Sequence, residues 1–148
     1  MSQYWLVEDS TGKIIQMFDV DLTTQPTFLT DNTPANHSTY LVQSGETKDN
    51  TYFPSTIRTT RPLLTTVASW NKTTLISDGT DSVTFGSGLP NPTTVNISFI
   101  SIGLLPPNDV TQVVTDGTLT ITTTVLLDLQ INIDVFPYQP YSQIITVT

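Results

Sequence analysis

Cysteine is absent from the 148-residue sequence, and histidine occurs once, at His37. Without thiols there is neither a disulfide framework nor a thiolate metal site, which leaves the compartment open. A single imidazole in a Pro- and Asn-rich loop leaves any serine nucleophile one base to share, and zinc lacks a ligand set. Basic residues are scarce as well. Five Lys and Arg stand against 13 acidic residues, a net charge of -8. Lys13, Lys48, Arg58, Arg61 and Lys72 are dispersed along the chain, whereas binding a phosphate backbone needs several cations on one surface, so no nucleic-acid partner is expected. The acidity itself favours solubility. No apolar run approaches the 18 residues of a spanning helix, and Met1 to Asp9 lacks a basic region followed by an apolar stretch; neither membrane insertion nor a signal peptide is expected.

Alanine is nearly missing too, while Thr makes up about a fifth of the chain. Branching at Cβ restricts χ1 in helices and suits a pleated surface, so the composition predicts an all-β protein. Ten Pro and many Asn, Asp and Gly turns between short apolar runs point to sandwich or barrel units. Such a length accommodates one domain or two of roughly 70 residues each.

The stretch from Trp70 to Pro90 organises the rest. Thr73, Leu75, Val83 and Phe85 alternate at period two around Asp78-Gly79, which supplies turn chemistry. Together with the Pro-containing connector from Thr59 to Ser69, this pivot divides the chain into an N-terminal β-module, 1–62, and a second domain, 63–148. In the first, Tyr4 to Val7 and Lys13 to Val20 form a hairpin, followed by strands at Thr39 to Val42 and Thr51 to Phe53. These make a small antiparallel sheet, with Trp5, Val7, Ile15, Phe18, Tyr40, Val42 and Phe53 on its buried side. Asp21 to Asn36, broken by Pro26 and Pro34, reads as an irregular loop.

Seven strands are expected in the second domain: Thr73 to Ile76, Ser82 to Phe85, Thr94 to Ile102, Gln112 to Thr115, Thr118 to Thr123, Leu127 to Val135 and Gln143 to Val147. That number suits a sandwich of two packed sheets. Asp116-Gly117 reads as a hairpin turn between two of them. Ile97, Phe99, Leu119, Ile121, Leu129, Ile131 and Ile133 face the core, and Gln130, Asn132 and Asp134 face water.

Chemistry is sparse. Gly86-Ser87-Gly88 lacks the spacing of a nucleophile elbow and reads as a turn. The carboxylate pairs Asp19 with Asp21 and Asp78 with Asp81 read as turn residues, although Asp78 and Asp81 are also weighed as calcium ligands. No catalytic residue, cofactor or metal site is therefore assigned. Phe136, Tyr138 and Tyr141, within Phe-Pro-Tyr-Gln-Pro-Tyr, are the candidates for a partner or glycan contact, against the alternative that they pack a corner of the core.

The runs Trp70-Asn71-Lys72-Thr73, Asp78 to Thr84 and Gly88 to Thr93 resemble the second half of small tail- or fibre-associated proteins of tailed bacteriophages. In those proteins an immunoglobulin-like domain follows a short N-terminal β-module. Tyr4 to Ile14 is similar to their opening, and Asp116 to Leu119 and Pro137-Tyr138 fall at a hairpin and a last corner; Asp21 to Pro62 lies outside the resemblance. It implies an immunoglobulin-like β-sandwich over 63–148 and a non-enzymatic virion structural protein. The resemblance implies a homo-oligomer or a multi-copy component, assembled in the host cytoplasm with tail, portal, adaptor or capsid subunits. A tail, adaptor or fibre-attachment role is the first expectation. A capsid-surface decoration (cement) protein and a carbohydrate-binding or adhesin module that takes a host-surface glycan are the alternatives.

Overall fold

In a computed structural model, which describes residues 1–21, 23–100 and 109–148, strands account for most of the regular backbone. The fold is all-β, with several antiparallel sheets. The chain divides into the units Met1–Pro62 and Leu63–Thr148, and each has its own apolar core.

The first unit contains β1 (Ser2–Glu8), β2 (Ile14–Val20), α1 (Gln25–Asn32), β3 (His37–Leu41), β4 (Thr51–Tyr52) and β5 (Thr59–Thr60). Its main sheet is antiparallel in the order β2-β1-β3. The β1–β2 turn depends on Gly12, at φ 73°, whose amide donates to Glu8 O while its own carbonyl accepts from Phe53 N at 2.8 Å. A Cβ there would collide with the Phe53 carbonyl, so both the dihedral and the close approach require glycine.

Four expectations for this unit need correction. Leu6 pairs with Gln16 but Val7 pairs with Ile14, so Ile15 is an extra residue in a β-bulge. Ile14 takes the core position beside Trp5, Val7 and Phe53, and Ile15 is left 50% exposed. Phe18 pairs with Tyr4 and so lies on the face opposite Trp5, where its ring meets Phe28 of α1 edge to face at 5.6 Å. The supposed loop over Asp21 to Asn36 contains that helix, apart from Leu22, which lies outside the described residues. Pro26 falls in the first turn, where its missing N–H costs no intrahelical bond, and Thr33, extended before Pro34, ends the helix. Finally, β4 pairs with β5 rather than joining the main sheet.

The second unit contains β6 (Ser69–Trp70), β7 (Thr74–Leu75), β8 (Val83–Gly86), β9 (Thr93–Ile100), β10 (Val110–Val114), β11 (Leu119–Ile121), β12 (Asp128–Ile133) and β13 (Tyr141–Val147). Five strands form one sheet, β10-β9-β12-β13-β7, and three form the other, β11-β8-β6. The strand expected to reach Ile102 is described to Ile100; Ser101 and Ile102 lie outside the described residues. Within the five-stranded sheet β7 and β13 run parallel, and the other pairs are antiparallel.

One cluster buries the inner faces of both sheets: Leu75, Val95, Leu129, Ile131 and Ile145 enter from one side, Val83, Phe85 and Leu119 from the other. Burial along β12 alternates, with Leu129, Ile131 and Ile133 inside and Gln130 exposed.

Asp116-Gly117 is not a hairpin. The strand before it, β10, pairs with β9, and the strand after it, β11, pairs with β8 in the other sheet. The turn is a corner between sheets, with Gly117 at φ 80° and its carbonyl accepting from Leu89 N at 3.1 Å. Asp-Gly supplies positive φ at either kind of turn, so local chemistry leaves the choice to the core, which Val114 and Leu119 enter from opposite sides. Asp78-Gly79 likewise carries the chain from β7 in one sheet to β8 in the other.

Candidate functional site

The corner after β12 positions the three candidate aromatics. Phe136-Pro137 is a cis peptide, and Tyr138 N donates to Val135 O at 2.9 Å to close a turn. Phe136, Tyr138 and Tyr141 are all half-buried, and Tyr138 and Tyr141 pack against the core of the second unit. The Tyr141 ring stacks on Phe85, with centroids 5.3 Å apart and planes 10° from parallel, while Trp70 lies 4.9 Å from the same Phe85. The Trp70 Nε1–H donates to the Tyr141 hydroxyl at 3.0 Å, and that hydroxyl faces Gln143 Oε1 at 3.3 Å. Both the ring and the hydroxyl of Tyr141 are thus engaged within the unit. Trp70 is the member of this group that its own local sequence did not assign to Tyr141; the partners are remote in sequence, so no local spacing signals the bond.

The paired carboxylates are occupied by backbone. Asp78 Oδ1 accepts from Asp81 N and from Thr80 N, each at 2.7 Å. Asp81 binds the Lys72 ammonium and accepts from Ile76 N and Ser82 N at 2.9 Å. Amide bonds from Asp81 and Thr80 hold the Asp78 carboxyl below the usual carboxylate range, and the Lys72 ammonium followed by the Ile76 amide does the same for Asp81. Lys72 is the one Lys or Arg of residues 63–148, and Asp81 engages it.

Asp19 and Asp21 serve different partners. Asp19 Oδ1 accepts from Gln3 Nε2 at 2.9 Å, and Asp21 Oδ1 accepts the Thr23 amide and hydroxyl at 2.8 Å, which lowers the Asp21 pKa. His37, in β3, has Nδ1 3.0 Å from Ala35 O, so Nδ1 carries the proton of that bond. Among the described residues, no group of three or more His, Cys, Asp or Glu converges as a metal site would require.

A different feature emerges in the first unit. Ile14, Ile15 and Met17 of β2, together with Trp5, form one wall of an open groove of about 480 Å³, and Glu46, Thr47 and Lys48 form the other. Glu46 fixes that second wall. Its Oε2 accepts from Trp5 Nε1 at 3.2 Å and Gln43 N at 2.8 Å, and its Oε1 lies 3.1 Å from Arg58 Nε. The Arg58 contact is an ion pair without hydrogen-bond alignment at Nε. Arg58 also donates to Leu41 O at 2.6 Å and lies 5.4 Å over the Phe53 ring, which stacks on Tyr40 at 4.2 Å. Ile15 and Met17 remain 50% and 42% exposed on the rim. An apolar rim beside a strand edge can bury another chain's side chains.

Sequence reasoning found Trp5 and its neighbours as core but missed the groove, because the bulge that exposes Ile15 leaves the alternation of residue types unchanged. The chain matches no protein-family model, no curated protein and no solved structure.

Proposed function

We propose that the protein is a non-enzymatic structural component of a bacteriophage virion, a tail, adaptor or fibre-attachment protein that works through protein–protein contacts. The observation that carries this reading is the apolar rim of Ile15 and Met17 on the outermost strand of the first unit, above a groove whose opposite wall is pinned by Glu46. Surfaces of this kind suit association rather than turnover of a small molecule.

An immunoglobulin-like second unit fits the strand order. Strands β6, β8 and β11 correspond to A, B and E of one sheet, and β9, β10, β12 and β13 to C, C′, F and G of the other. The core between the two sheets is apolar, with Phe85 on β8 and Ile131 on β12 among its buried residues. Function does not follow from this architecture, which hosts many activities.

Imaging of assembled particles that carry a tagged copy of the chain tests the reading. Density in a symmetric set at the tail, neck or fibre base is the expected result. Attachment to the capsid lattice and not to tails would transfer the assignment to capsid decoration, and absence from particles would overturn it.

A further inference from the structure

We propose that β10 is a self-pairing edge: two copies of this chain join the ends of their five-stranded sheets through antiparallel β10 strands, about a two-fold axis at Gln112. The inference goes beyond the virion reading and stands without it. Strand β10 ends the order β10-β9-β12-β13-β7, and among the described residues no strand pairs with its outer side. Unpaired backbone donors and acceptors on an edge are a template for another strand, and edges are ordinarily guarded by brevity, charge, proline, a bulge or a cover. The other strands that end a sheet have such a guard. Strands β4, β5, β6 and β7 are two residues long and β11 is three, β2 has the bulge at Ile15, and Arg58 covers the end of β3 at Leu41 O. Strand β10, Val-Thr-Gln-Val-Val, has five residues, no charge, no proline and an unbroken register with β9.

The strand itself matches a second copy. Because its register with β9 has no bulge, side chains alternate strictly: Val110, Gln112 and Val114 share the face of Val95 and Ile97, and Thr111 and Val113 share the face of Asn96 and Thr94. With the axis at Gln112 and normal to the sheet, Val110 falls opposite Val114 and Thr111 opposite Val113, each pair on one face. The neighbouring registers that keep the faces matched fail at the flanking acids. An axis at Val113 sets Asp116 against Val110, and one at Thr111 sets Asp109 against Val113. Charge favours this edge too, since copies of a chain of net charge -8 repel one another and the five residues of β10 add nothing to that repulsion.

An unsealed part of the core lies along the same edge. Between β10 and β11, the end strands of the two sheets, is an open cleft of about 230 Å³ with Ile97, Phe99, Val110, Gln112, Ile121 and Leu129 in its lining. Val110 is exposed there. A two-fold axis normal to the sheet keeps both three-stranded sheets on one side of the joined sheet, so the two clefts face each other and each copy takes the other's Val110 out of water.

Sedimentation equilibrium on the full chain at rising concentration, to about 1 mM, tests this. The native chain is expected to pass from monomer to dimer. Gln112 is the residue that meets its own copy, so Gln112→Lys sets two ammoniums together and Gln112→Glu two carboxylates. Each should raise the dimer dissociation constant at least about tenfold, and an equimolar mixture of the two variants should restore the dimer. Because the chain lacks cysteine, Gln112→Cys introduces a single thiol at the axis and should cross-link two copies under mild oxidation, whereas Asp109→Cys holds its two thiols roughly 20 Å apart and should not. Circular dichroism checks that each variant folds. A monomer at every concentration overturns the proposal. So does a dimer that both charged variants leave intact, a mixture that stays monomeric, or cross-linking at position 109 in place of 112, because the interface then lies elsewhere.

Discussion

The indole N–H of Trp70 donates to the hydroxyl of Tyr141 at 3.0 Å across 71 positions of sequence. Trp70 belongs to the edge strand of the three-stranded sheet, and Tyr141 opens β13 of the five-stranded sheet. The bond therefore ties the two sheets together, with Phe85 packed against both rings.

Tyr141→Phe should keep the stack and lose the bond, with a cost of about 1 kcal/mol. Trp70→Ala removes the ring as well and should cost on the order of 2–3 kcal/mol, less than a fully buried aromatic because Trp70 is half-buried. Urea unfolding of both variants and their combination measures the coupling. Additive losses would mean that the bond contributes nothing beyond the packing.

Gly12→Ala should destabilise the first unit by at least about 1–2 kcal/mol, since a residue with Cβ is strained at φ 73° and meets the Phe53 carbonyl as well. Thermal unfolding reads this as a lower midpoint for that unit. An unchanged midpoint would remove the close approach between the β1–β2 turn and Phe53.

Ile131 and Ile144 lie on paired strands but on opposite faces: Ile131 is fully buried and Ile144 is 51% exposed. Ile131→Ala should cost about 2–5 kcal/mol and Ile144→Ala within about 0.5 kcal/mol. Similar losses at the two sites, measured by chemical denaturation, would contradict the assignment of faces.

Asp78 and Asp81 have folded-state pKa values below those of an unfolded chain. Their contribution to stability is complete above the unfolded value near pH 4 and disappears as pH falls through the depressed folded values. Asp81→Asn should therefore lower stability at neutral pH and flatten its decline in acid. A stability profile from pH 7 to about pH 2 checks both, and parallel curves for variant and native chain would refute the linkage.

The strands of the second unit were legible because each carries its own alternation: Leu129, Ile131 and Ile133 declare a buried face whatever they pair with. Which strand pairs with which was not, because Asp116-Gly117 satisfies the same dihedral in a hairpin and in a corner between sheets. In the first unit, parity failed at the bulge, where one extra residue moves Ile15 outward and brings Ile14 in. The helix over Gln25–Asn32 was hidden because Pro26 signals a break in a strand and a start in a helix alike. Of the candidate aromatics, the run of rings was visible, whereas the engagement of Tyr141 by Trp70 and Phe85 depends on residues far away in sequence.

Strands β7 and β13 run side by side in the same direction, joined by Thr146 N to Thr73 O at 3.0 Å and Thr148 N to Leu75 O at 2.9 Å. A pull between the start of β7 and the end of β13 loads these bonds together in shear instead of peeling them one after another. Against a pull applied between these two strands, the second unit thereby holds a mechanical clamp.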